Sequence, residues 1–102
     1  MIQKVQTPFQ NFALVCRKCS KKLDGGFGPG GDEKLAKALR QGLKAAGRRR
    51  DVRIMEVGSF GLCPKKAVTV ASSVSPGMLL VVERGTDIRT VAAALTPSGV
   101  LA

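Results

Sequence analysis

The chain has 102 residues, 44% of them apolar, and no histidine, tyrosine or tryptophan, which suits one domain with a modest core. Without imidazole it cannot by itself build a Ser-His-Asp triad, a Cys-His pair, a His-ligated zinc site or a Rieske-type cluster, and its seven acids show no pairing suited to hydrolysis. The net charge of +10 is uneven: residues 1–53 carry 13 Lys or Arg against four acids, and the remainder four against three, so a field attractive to acidic proteins, nucleic acid or anionic membranes belongs to the first half.

Residues 1–11 read as an N-terminal extension, 12–96 as the domain and 97–102 as a C-terminal tail. No apolar run is long enough to span a bilayer and the first residues lack a secretory apolar block, so a cytoplasmic location is expected. Phe12-Ala13-Leu14-Val15-Cys16 is a short apolar run that predicts a buried strand ending at the first thiol. Residues 20–31, rich in glycine around Phe27 and Pro29, predict a long permissive loop. Asp32 is the expected N-cap of a helix over 33–46, in which Leu35, Leu39, Leu43 and Ala46 form an apolar stripe that Gly47 ends. Lys34, Lys37, Arg40 and Lys44 occupy its other face, and Arg48, Arg49 and Arg50 follow. This basic stretch suits solvent or an acidic partner, and nucleic acid is disfavoured because no tyrosine or tryptophan is present to stack on bases.

Val52-Arg53-Ile54-Met55-Glu56-Val57 predicts a second strand, parallel to the first because a helix separates them. Ala67-Val68-Thr69-Val70-Ala71 and Met78 to Glu83, joined through Ser75-Pro76-Gly77, predict an antiparallel hairpin. Thr86 or Asp87 is expected to cap a last helix with Ile88, Val91, Ala92 and Leu95 on one face, ended by Pro97 and Gly99. The resulting order, β-α-β-β-β-α, predicts an α/β domain in which a mixed four-stranded sheet is packed by two helices, the minimal thioredoxin-like core.

The chemistry concentrates in three cysteines on two loops: Cys16 and Cys19 after the first strand, and Cys63 in Gly58-Ser59-Phe60-Gly61-Leu62-Cys63-Pro64 after the second. An odd number of thiols is no disulfide framework, and a Cys-x-x-Cys pair in a reducing compartment suits metal or redox use. Both loops are expected at the carboxyl ends of neighbouring parallel strands, where open α/β sheets bind ligands. A disulfide of thioredoxin type is disfavoured, because the predicted loop separates Cys19 from any helix N-terminus. Zinc is a further option, for which three thiolates leave one ligand to be found.

Through the strand ending in Cys16, the Gly58-x-x-Gly61-Leu62-Cys63-Pro64-Lys65 loop, the Ala67-Val68-Thr69-Val70 strand and the Gly85-Thr86-Asp87 helix start, the chain resembles the thioredoxin-like 2Fe-2S ferredoxins over residues 12–95. The resemblance implies an electron carrier rather than an enzyme, with a 2Fe-2S cluster near the surface, commonly in a homodimer; the basic face suits an acidic redox partner. Its ligand positions fall on Cys16, Cys63 and Ser59, which stands four residues before Cys63 where the family has cysteine. The family's remaining ligand usually lies further along, at Gly25 to Gly31 here, whereas this chain offers Cys19. The fourth ligand is therefore absent, is the harder oxygen of Ser59, or comes from outside the chain. The alternative is a degenerate member of the same fold that holds no cluster and acts as a basic interaction module with structural or disulfide-forming thiols.

Overall fold

A computed structural model describes residues 1–97. Seven elements follow in chain order: β1 (Asn11–Cys16), α1 (Arg17–Leu23), α2 (Leu35–Ala45), β2 (Val52–Val57), β3 (Ala67–Ser72), β4 (Leu79–Glu83) and α3 (Ile88–Ala94). They form a mixed α/β fold with one four-stranded sheet in the order β2-β1-β3-β4. β1 runs parallel to β2 with Cys16 opposite Val57, so both strands end at one edge and set the start of α1 beside the loop that follows β2. β3 runs antiparallel to β1 and to β4.

The strand positions explain the burial. β1 and β3 are central, and all but Ala71 of β3 is buried; β4 is an outer strand and buries only Val82 fully. Side chains alternate across a strand, so the pairing puts Ala13, Val15, Ile54, Val68, Val70 and Val82 on one face. There they join Leu35, Leu39 and Leu43 of α2 with Val91 of α3 and Leu95 just beyond it in a single core. Each fully buried leucine contributes about 1.5–3 kcal/mol of transfer free energy. On the opposite face α1 rests on β3 near the Cys16 end, and Phe12, Leu79 and Val81 remain 37%, 40% and 48% exposed.

Three predicted features are corrected. Among the described residues there are three helices rather than two, because Arg17–Leu23 is helical where residues 20–23 were expected to belong to a loop. The remaining glycine-rich stretch is a tight ordered turn: Asp24 ends α1 in a left-handed conformation, Gly25 and Gly26 continue at positive φ, and Phe27 pairs with Glu33 through two backbone hydrogen bonds of 3.0 and 2.9 Å. That turn buries the Phe27 ring, which supplies the apolar anchor that composition alone concealed. The main helix starts at Leu35 with Lys34 in the cap position and no side-chain cap, rather than after Asp32, because Glu33 is held by its bridge to Phe27. At its other end Ala46 is the exposed cap residue. Gly47 at φ +70° lets Arg48 N donate to Leu43 O and Gly47 N to Lys44 O, a Schellman ending.

Asp87 stands in the cap position of α3 without a side-chain hydrogen bond, while Thr86 Oγ1 donates to Glu83 O. Pro97 follows this helix as expected, and Gly99 lies outside the described residues. Among the described residues no helix is long and apolar enough to cross a membrane.

Candidate metal centre

β1 carries the chain into α1 without an intervening loop, and this places the first two thiols. Cys16 is the last residue of β1 and also the N-cap of α1, and its Sγ accepts a hydrogen bond from Cys19 N at 3.3 Å. The first amides of a helix have no partner within it, and sulfur here does the work usually done by serine or aspartate oxygen. Lys18 N, the next amide back, donates instead to Gly58 O at 3.2 Å. The β2–β3 loop is thereby tied to the start of α1.

Further along that loop, Thr69 Oγ1 on β3 donates to Leu62 O at 2.9 Å. This anchor holds Cys63 over Cys19, and the two Sγ atoms are 3.0 Å apart. Cys19 Sγ also approaches Leu62 O at 3.6 Å and Thr69 Oγ1 at 3.9 Å, and Cys16 Sγ approaches Gly58 O at 3.9 Å. All three sulfurs lie within 4.8 Å of one another. The three cysteines are free thiols; Cys16 and Cys19 are buried and Cys63 is half-buried.

Cys16, Cys19 and Cys63, chosen from the sequence, are thus brought to one point. Ser59 is exposed, and its Oγ accepts from Gly61 N at 3.1 Å, closing its own turn. The sequence-based argument against a helix beside the thiols is overturned, because α1 begins at the residue after Cys16. Thr69 escaped sequence reasoning, although a hydroxyl within the otherwise apolar Ala67-Val68-Thr69-Val70-Ala71 strand was a signal, since a buried polar group needs a partner.

The donor set and its spacing fit a soft metal. A tetrahedral ion with metal–sulfur bonds of about 2.3 Å sets its thiolates about 3.8 Å apart, inside the range from the 3.0 Å Cys19–Cys63 contact to the 4.8 Å limit of the cluster. Three thiolates supply three of the four ligands of a 2Fe-2S centre. Arg17, Lys18, Lys21, Lys22, Lys65 and Lys66 are all exposed around these thiols. The one ion pair among the described residues, Arg48 with Asp51, lies elsewhere. The surroundings therefore favour an anionic molecule approaching the site.

Compared with family models, curated proteins and solved structures, the chain matches none.

Proposed function

We propose that this chain is a small metal-binding protein of thioredoxin-like fold that holds a 2Fe-2S cluster for one-electron transfer, acting as a carrier rather than as an enzyme. The observation that carries the metal assignment is the convergence of Cys16 at the end of β1, Cys19 in α1 and Cys63 in the β2–β3 loop to within 4.8 Å at one sheet edge. The thioredoxin-like assignment is supported by the β2-β1-β3-β4 order, with one parallel pair and a following hairpin.

The cluster, when bound, would supply reversible one-electron chemistry. The chain's own contribution is the cradle. Cys19 N donates to Cys16 Sγ, and hydrogen bonds to ligand sulfurs are among the factors that set a cluster's potential. The fourth ligand is Ser59 or a group from outside the chain. The surrounding lysines and Arg17 suit docking of an acidic redox partner.

The test is to measure iron, acid-labile sulfide and zinc on protein purified without oxygen and again after reconstitution. Two irons and two sulfides per chain are expected. Zinc alone would identify a mononuclear thiolate site and refute electron transfer, and absence of metal under both conditions would favour a degenerate basic interaction module. Ser59→Cys is expected to raise cluster occupancy or lifetime; unchanged iron content would exclude Ser59 as the position of a lost ligand.

A further inference from the structure

A direct sulfur–sulfur contact joins two thiols that are far apart in sequence. Cys19 and Cys63 are 44 positions apart, and their sulfurs are separated by 3.0 Å, about 1 Å more than the disulfide bond length of about 2.05 Å. Cys16 is fully buried and its Sγ is engaged as the cap of α1. Accessibility differs as well. Cys63 is half-buried in a loop, whereas Cys19 is 2% exposed on α1. One thiol can therefore meet a molecule from solution, and a second waits directly behind it.

We propose that the chain undergoes thiol–disulfide exchange with small anionic disulfides of the glutathione disulfide type, closing a Cys19–Cys63 bridge and leaving Cys16 as a bystander. The Cys63 thiol gives its proton to water, and the thiolate attacks one sulfur of the external disulfide. That S–S bond breaks, one glutathione thiolate leaves, and a mixed disulfide forms on Cys63. Cys19 also loses its proton to water, and its thiolate attacks Cys63 Sγ. The mixed disulfide breaks and the second glutathione departs. Two protein thiols are oxidised by two electrons, and one external disulfide is reduced to two thiols.

The preference for an anionic disulfide comes from the charges carried by the two segments that hold the thiols. Arg17, Lys18, Lys21 and Lys22 of α1 and Lys65 and Lys66 of the β2–β3 loop are exposed, and no acid occurs in residues 16–23 or 57–67. The exchange does not rest on the metal assignment, but it consumes two of the same sulfurs, so bridge closure and metal ligation exclude one another.

The experiment treats reduced, chelator-washed protein with glutathione disulfide in the absence of oxygen, alkylates the remaining thiols and maps the peptides by mass spectrometry. A Cys19–Cys63 linkage with alkylated Cys16 is expected. Cys19→Ser is expected to accumulate glutathione on Cys63, Cys63→Ser to lose the intramolecular bridge, and Cys16→Ser to retain Cys19–Cys63. A Cys16–Cys19 bridge, or glutathione persisting on Cys63 of the unmodified chain, would overturn the assignment. At low salt, glutathione disulfide is expected to react several-fold faster than neutral hydroxyethyl disulfide, with the advantage lost at high salt; equal rates at both salt concentrations would refute the charge preference. Metal content, measured on separate reconstituted protein, distinguishes the two proposals: metal uptake there combined with no Cys19–Cys63 bridge in the chelator-washed, glutathione-disulfide-treated protein refutes exchange alone.

Discussion

Replacing Thr69 with valine keeps the shape of the side chain and removes a single donor, the one that Thr69 Oγ1 offers to Leu62 O at 2.9 Å. A hydrogen bond of this kind contributes a net 0.5–1.5 kcal/mol, roughly 1 kcal/mol. Between Lys18 N on Gly58 O and Arg84 N on Lys66 O, the bond from Thr69 holds the middle of the loop to the sheet. If its loss is spent on loop opening, the closed arrangement becomes about fivefold less favoured, since about 1.4 kcal/mol corresponds to a factor of ten. In metal-free Thr69→Val, alkylation of Cys63 should accelerate by up to about fivefold, and zinc affinity measured by chelator competition should fall by a similar factor. Thr69→Ser keeps the donor and should restore both readings while losing some packing stability. Equal effects of valine and serine, or no effect of valine, would refute a positioning role for the hydroxyl.

Leu39 is fully buried between α2 and the sheet, so Leu39→Ala should cost about 2–5 kcal/mol and lower the urea midpoint markedly; a loss below 1 kcal/mol would contradict the core described above. Gly25 has φ +107°, and a Cβ there would sit 2.8 Å from the backbone oxygen of Asp32. Gly25→Ala should therefore destabilise the fold by about 1–3 kcal/mol, whereas Gly47→Ala, at φ +70° with open space, should cost about 1 kcal/mol; thermal melts that rank them in the opposite order would exclude the crowding at Gly25. Charge reversal at Lys65 and Lys66 should slow the reaction with glutathione disulfide at low salt and leave it unchanged at high salt, which stopped-flow kinetics would read directly.

The four strands were legible because each is a short apolar or β-branched run bounded by turn residues, and β1–β2 pairing followed from the helix between them. The Leu35, Leu39, Leu43 stripe was equally plain. α1 was not, because Arg17–Leu23 presents cations along most of its length, buries only Cys19 and Ser20, and takes its cap from a sulfur. Sequence rules look for an apolar stripe and an oxygen cap, and this helix offers neither. The start of α2 was misplaced for a different reason: Asp32 has the right chemistry, but the Phe27–Glu33 bridge fixes the backbone in extended form one residue later. The cysteines could be chosen from spacing alone. Their partners could not, because the Gly58 and Leu62 carbonyls and the Thr69 hydroxyl enter the site only through strand pairing and loop closure.

Cys19 lies at the start of the parallel crossover and Cys63 beyond its end, and this separates them in time as well as in sequence. At roughly 5–20 residues per second of synthesis, the 44 positions between them amount to roughly 2–9 seconds during which Cys16 and Cys19 exist without their third neighbour. In that interval the adjacent pair is the only one that can close. Docking of β2 beside β1 then brings the later loop over α1, where Cys63 meets Cys19. An oxidant acting on the nascent chain should therefore record one pairing, and the same oxidant acting on the folded chain, where Cys19 and Cys63 are in contact, another.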